Sequence, residues 1–208
     1  MAKTDGRRLR AAQTRRRILD AALRLFGERG YGAATMEAIA REAEVAVQTV
    51  YFTFGSKPQI LKELVDLHVA DQQNPLPTLQ RPEIVRALAT ADPREQLRIA
   101  AAVSRDIHQR VAPVLDVLRA AAVTSAEAAE LWEVNKAQRR AVVRRLVESM
   151  AARGSLAGGV SEGRAVDVCY ALLGPELYQL VVSERGWTPQ EWEEWVHASL
   201  CGTLLDPV

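Results

Sequence analysis

Between residues 35 and 57 the apolar spacing restarts twice, a pattern that few folds can satisfy. Met36, Ile39, Ala40 and Ala43 fit the inner face of one short helix, and Val45, Val50 and Phe54 fit that of a second helix crossing it. Lys57 then opens a third helical stretch with almost no linker. The spacing predicts a helix-turn-helix motif over residues 35–54. Val47, Gln48, Thr49, Tyr51, Phe52 and Thr53 are left mostly outward, and a row without a carboxylate suits a polyanion such as DNA.

The charge distribution points the same way. Residues 1–57 hold 11 Lys or Arg against 6 Asp or Glu, which is +5, while residues 58–208 hold 16 against 20, which is −4; the sum is the net +1 of the chain. Lys3, Arg7, Arg8, Arg10, Arg15, Arg16 and Arg17 crowd the N-terminus against the single Asp5. Residues 1–13 are expected to form a basic arm that lies along phosphates or in a minor groove, with Arg15 and Arg16 as further possible DNA contacts.

Apolar content of 48% is ample for a packed core. Cys169 and Cys201 have no metal-ligand spacing, and no charged-apolar-small leader begins the chain, so a reduced, cytoplasmic setting is expected. By this reading no apolar run approaches the roughly 18–20 residues needed to span a bilayer, so no membrane partner is expected. Three scattered histidines predict no metal site, and no motif calls for a cofactor.

The rest of the chain reads as helix throughout. A helix over 14–29 carries Ile18, Ala22, Leu25 and Phe26 on one stripe, with Gly30 placed to end it. Thr35 is placed to cap the next helix, whose free amides make an anion site, and Ser56 caps a helix running from Lys57 to His68. The Pro-rich stretch 72–82 predicts a loop. Helices are then expected over 83–90, 93–110, 113–123, 125–153, 163–185 and 189–205. The expected fold class is all-α, with about nine helices: a three-helix DNA-binding domain over 14–57 and a larger helical bundle over 58–208.

The last two helices bear on assembly. Thr188 and Glu191 form a capping-box pattern ahead of Trp192, Trp195, Val196, Leu200 and Leu204. The 163–185 helix has two apolar stripes, one through Val166, Tyr170, Leu173 and Leu177, another through Val168, Cys169, Leu172 and Tyr178. One neighbour cannot cover both stripes. Either this helix is central to its own chain, or helices 163–185 and 189–205 pair with a second copy as a homodimer. Pro175 is expected to bend the first of them near Ala171.

Three stretches occur in order: Arg17-Ile-Leu-Asp-Ala-Ala-Leu-Arg-Leu-Phe-Gly-Glu-Arg-Gly-Tyr, Ala34-Thr-Met-Glu-Ala-Ile-Ala and Thr49-Val-Tyr-Phe-Thr-Phe-Gly-Ser-Lys. In these residues the chain resembles the TetR family of bacterial one-component transcriptional regulators. The C-terminal part is similar to that family in helix count and length, and in Pro175-Glu-Leu-Tyr and Trp192-Glu-Glu-Trp. The resemblance implies a non-enzymatic regulator binding a palindromic operator as a homodimer, a repressor released by an unknown small-molecule effector. It implies that Thr35, Thr49, Tyr51 and Lys57 hold phosphates, while Val47 and Gln48 read bases. Phe52 either touches DNA or shields the junction with the following helix. The chain departs from the family in having Glu44 where Gly is usual in the turn, Ala46 in place of a serine cap, and Phe52 where His or Tyr is common.

An effector pocket is expected among the helices that follow the motif, with His68, Arg105, His108, Trp132, Asn135 and Tyr170 as candidate polar lining. The alternative is a helical DNA-binding or interaction protein with no small-molecule effector. No serine-histidine-aspartate setting, phosphate-cradling glycine loop or specially placed carboxylate pair argues for an enzyme.

Overall fold

The computed structural model describes the backbone of residues 2–69 and 78–207, and their side chains except at 2–5, 7 and 69. Residues 72–77 of the Pro-rich stretch and the side chains of Lys3, Asp5 and Arg7 therefore lie outside the described residues. No strand occurs among the described residues. The helices are α1 (Ala2–Arg29), α2 (Met36–Glu42), α3 (Val47–Phe54), α4 (Lys57–Val69), α5 (Pro82–Ala89), α6 (Pro93–Ala121), α7 (Ala126–Ala151), α8 (Glu162–Leu172), α9 (Pro175–Tyr178) and α10 (Pro189–Leu204). A 3₁₀ turn precedes α5, and α9 continues as a π-helical segment, Gln179–Glu184.

Three expectations are corrected. α1 begins at Ala2 rather than at residue 14, so residues 2–13 of the expected basic arm are helical. Arg8-Leu-Arg-Ala-Ala-Gln are strong helix formers, and lengthening an existing helix costs far less than nucleating one. The expected 93–110 and 113–123 helices are one, α6, because the exposed Pro113 leaves the orphaned carbonyl of Gln109 on a side that water can reach. The expected 163–185 helix is instead broken. Leu173 caps α8, Gly174 is extended at φ −80°, and Pro175 opens α9 as its first residue. A Cβ on Gly174 would lie 2.9 Å from the Tyr170 carbonyl oxygen and 2.8 Å from Glu176 Oε2, so only glycine fits this break without a shift.

The chain divides into two compact units, Met1–His68 with Pro113–Glu133, and Val69–Ala112 with Val134–Val208. In the first, Ile18, Ala22, Leu25 and Phe26 of α1 are buried, as are Ile39 of α2, Val50 and Phe54 of α3, and Ile60, Leu61 and Leu64 of α4. Each large apolar side chain so enclosed contributes about 1.5–3 kcal/mol. Val114, Leu115 and Leu118 of α6 are buried in the same unit. The core of the second unit joins Leu97, Val147, Met150, Ala165, Cys169, Trp192, Val196, Leu200 and Leu204.

Glu162–Glu184 corrects another expectation, being long and apolar enough to cross a membrane by length and composition, with a mean hydropathy of 1.3. Its helix is interrupted at Gly174, and Ala165, Val166, Cys169, Leu173 and Tyr178 from it belong to the second core. The expected cap of α10 is present: Thr188 Oγ1 accepts from the Glu191 amide at 3.2 Å, and the Thr188 amide donates to Glu191 at 2.7 Å. Both cysteines are free and buried.

A histidine is sealed in the second core. His108 is 5% exposed, and its Nε2 donates to the Leu173 carbonyl at 2.8 Å. Its ring centroid lies 5.4 Å from Tyr178 and 5.6 Å from Trp192, which are themselves 5.2 Å apart. Burial lowers the His108 pKa from 6.5 to about 4. The unfolded chain binds this proton below pH 6.5 and the folded chain does not until about pH 4, so stability is full above 6.5 and falls as pH drops through that window. Urea unfolding at pH 7 and pH 5 should show about 2 kcal/mol more loss of stability in the wild type than in His108→Phe. Equal losses would place a charged, hydrated His108 in the folded protein.

Candidate DNA-binding surface

The surface is built on α2 and α3. Thr35 has extended backbone, and its Oγ1 accepts from the Ala38 amide at 3.1 Å, leaving the hydroxyl proton available as a donor. Buried Met36, Ile39 and Ala40 fix which side of α2 faces inward. Val45 continues the chain into α3, whose N-cap, Ala46, offers no side-chain hydrogen bond. Packing of Val50 and Phe54, 0% and 5% exposed, holds α3 where a serine cap is absent. Gly55 ends α3 at φ +73°, a conformation that favours glycine.

With that face buried, the opposite face of α3 is set. Gln48 is exposed, Val47 and Thr49 are half-buried, and Tyr51 is 47% exposed. Phe52 is 94% exposed, so it does not shield a junction with α4. None of the eight residues of α3 is charged. Gln48 and Phe52 share one face at i, i+4 spacing, as do Val47 and Tyr51. Such a surface offers an amide able to make paired hydrogen bonds, a phenol donor and apolar edges.

The candidate cations are placed differently from one another. Lys57 Nζ donates to the carbonyls of Tyr31, at 2.7 Å, and Gly32, at 3.3 Å, and stands 4.5 Å from the Tyr31 ring centroid. Burial lowers its pKa. Three ammonium protons minus two carbonyls leave one for another acceptor. Arg15 is bound to the Glu63 carboxylate and lies 4.8 Å from the Phe54 ring centroid, so it ties α1 to α3 and α4 within the first unit. Arg16 pairs with Asp20 one turn along α1 at 3.0 Å, both exposed. Arg8 and Arg10 are exposed on the N-terminal extension of α1.

The six candidate effector residues are divided between the two units. His68 and Trp132 belong to the first unit, and Arg105, His108, Asn135 and Tyr170 to the second. His68 Nδ1 donates to the Leu64 carbonyl at 2.8 Å, a local helical bond. Arg105 is engaged by Asp106 and Glu193. Asn135 is buried, and Tyr170 lies under the Arg139 guanidinium at 5.1 Å. Sequence reasoning missed the partners that surround His108, Tyr178 and Trp192, and the paired hydrogen bonds from Arg139 to Glu176 at 3.0 and 2.8 Å. The available signal was the aromatic content of Pro175-Glu-Leu-Tyr and Trp192-Glu-Glu-Trp.

Residues 18–64 match the sequence profile of the bacterial regulatory proteins of the tetR family. The HTH-type transcriptional regulator SrpR of Pseudomonas putida is 41% identical over 66 residues, which cover 32% of this chain and 29% of that protein. Across curated relatives of this kind the chain spans 29% to 46% of their length. The fold is similar to that of NalD, the secondary repressor of the MexAB-OprM multidrug efflux pump in Pseudomonas aeruginosa, with a TM-score of 0.72 at 22% identity over 95% of this chain and all of that one. It is also similar to SmeT in its complex with triclosan, with a TM-score of 0.70 at 18% identity over 93% and 92% of the two chains.

The turn between α2 and α3 carries the one positive-φ residue other than glycine among the described residues, Glu44 at φ +53°. Its amide donates to Arg41 at 3.2 Å, and that of Val45 donates to Ala40 at 3.0 Å, the paired bonds of a Schellman cap. Such a cap wants glycine at this position. A side chain held there costs about 1–2 kcal/mol, partly offset by the greater freedom glycine has when unfolded. Glu44→Gly should therefore raise the unfolding free energy by about 0.5–1 kcal/mol in equilibrium urea titrations. A decrease would mean that the left-handed turn is not retained in solution.

Proposed function

We propose that this chain, which belongs to the TetR family of bacterial regulators by its N-terminal domain, binds a palindromic DNA operator as a homodimer and represses transcription in the cytoplasm until a small-molecule effector releases it. The observation that carries the reading is the outer face of α3. An exposed glutamine, a half-exposed tyrosine and an almost fully exposed phenylalanine stand together on a helix with no charge, next to the capped N-terminus of α2. On this reading Thr35, Thr49, Tyr51 and Lys57 hold phosphates, and Val47 and Gln48 meet base edges.

The C-terminal helices support two copies per operator. Trp195, Ala198 and Gly202 are exposed on α10 at i, i+3, i+7 spacing, and Leu180 is 47% exposed. Trp187 stands edge-on to Trp195 at 5.5 Å. Two half-sites call for two α3 helices about 34 Å apart, one turn of DNA, and a second copy of the chain would supply the second helix. The repressor role described for NalD and the triclosan held by SmeT are the reasons for choosing repression and release by a small molecule. An effector needs a differential affinity of only a few kcal/mol between two states to shift them.

Selection from random duplexes should enrich one inverted repeat, and failure to enrich any sequence would end this reading. On the enriched duplex, Gln48→Ala should lower discrimination at one base step by about 1–3 kcal/mol, measured by fluorescence anisotropy against single-base variants. Lys57→Ala should weaken enriched and random duplexes alike, and flatten the log-log salt dependence by about one unit per chain. An unchanged slope would assign Lys57 wholly to its two carbonyls.

A further inference from the structure

His108 Nδ1 and Trp192 Nε1 are among the buried polar atoms of the second unit that have no hydrogen-bond partner. Both side chains are enclosed, at 5% and 0% exposure, and the rings stand at 75° to one another. A carbonyl only accepts, so the bond to Leu173 places the imidazole proton on Nε2. With the ring neutral, Nδ1 is a lone-pair acceptor. The indole Nε1 can only donate. Native interiors leave few such groups unmatched, and here one acceptor and one donor are left on neighbouring rings.

A single hydroxyl matches both, giving its proton to Nδ1 and taking the indole N–H on its oxygen. The walls select the rest of the molecule. Tyr178 closes a triangle of rings whose edge and face contacts suit an aromatic body, and a buried neutral site disfavours a charged one. Tyr178 also sits on the least regular backbone of the unit. It is the last residue of α9, four residues after the Gly174 break and directly before the π-helical segment. Such segments recur at functional sites because their backbone can rearrange. A rearrangement of this backbone would open the triangle of rings at Tyr178.

We infer that His108, Tyr178 and Trp192 form a closed box that opens to bind an uncharged phenol, whose hydroxyl bridges His108 Nδ1 and Trp192 Nε1. The site gives the effector of the proposed function its chemical class, and its role at DNA rests on that reading. Buried water carries the same hydroxyl chemistry, so the test must separate the two.

Isothermal titration of the full chain, free of DNA, with 4-tert-butylphenol and its methyl ether needs no variant. The phenol should bind saturably at one per chain, and the ether at least about tenfold more weakly, because it cannot donate to Nδ1. With ¹⁵N-histidine labelling, the phenol should also shift the Nδ1 resonance of His108. His108→Phe should abolish the preference for phenol over ether. Equal affinities, no saturable binding to the wild type, or an unmoved Nδ1 resonance would overturn the site and leave a bound water as the occupant. Operator anisotropy with and without phenol is read separately: binding of phenol with no effect on DNA affinity would count against the effector reading and leave the site standing.

Discussion

A lysine ammonium drawn partly out of water needs oxygen acceptors to keep its charge, and Lys57 finds them at the far end of its own motif. Its Nζ sits on the carbonyls of Tyr31 and Gly32, while its backbone opens α4. Everything between these points is the turn into α2, α2 itself and α3. One side chain thus fastens the exit of the helix-turn-helix to its entrance, and closing that loop limits how far α2 and α3 can shift together. Arg15 adds a second fastening by resting on Phe54 at the end of α3 and binding Glu63 of α4. The orientation of the reading helix is therefore held by two cations on aromatic rings, at the edge of an apolar core.

The same contacts explain which residues share the first unit. Tyr31 is 7% exposed, packs 5.1 Å from Phe26 and lies near Ser125 and Glu127 at the start of α7. Burial raises its pKa, so it stays a neutral phenol. Ser125 also accepts from the Ala128 amide at 3.3 Å. The ring under the Lys57 ammonium thus borders the N-terminus of α7, and residues 113–133 cluster with the DNA-binding helices as a consequence. A change at the start of α7 would be felt first at Tyr31, and next at the loop to which Lys57 is bound.

Local physics was legible in the sequence. The stripes of α1 to α3, the Thr35 and Thr188 caps and the glycine-like position of Glu44 each depend on neighbours within a few residues. The two prolines were read in the wrong sense because their effects depend on surroundings that propensity does not describe. Pro113 faces outward and α6 runs through it, whereas Pro175 follows a glycine pressed against the Tyr170 carbonyl and begins a new helix. The ring cluster around His108 was legible only as the aromatic content of Pro175-Glu-Leu-Tyr and Trp192-Glu-Glu-Trp. Its bond to Leu173 spans 65 residues, and no periodicity connects side chains so far apart.

Phe52 shows why the outward face of α3 is a surface awaiting a partner. Leaving a phenylalanine 94% exposed forgoes about 1.5–3 kcal/mol that burial would supply, and nothing in α3 compels it, since a polar residue there would keep the same helix. Gln48, one turn earlier on the same face, is equally unneeded by the core. Together they place an apolar edge beside a paired donor and acceptor, a combination suited to thymine methyl groups beside an adenine edge in a major groove. On the proposed reading, half-buried Val47 offers less surface to a base edge than Gln48. On the proposed reading, so few side chains per copy call for two copies along a long operator, and the exposed Trp195 and Leu180 would then serve DNA reading as much as Gln48.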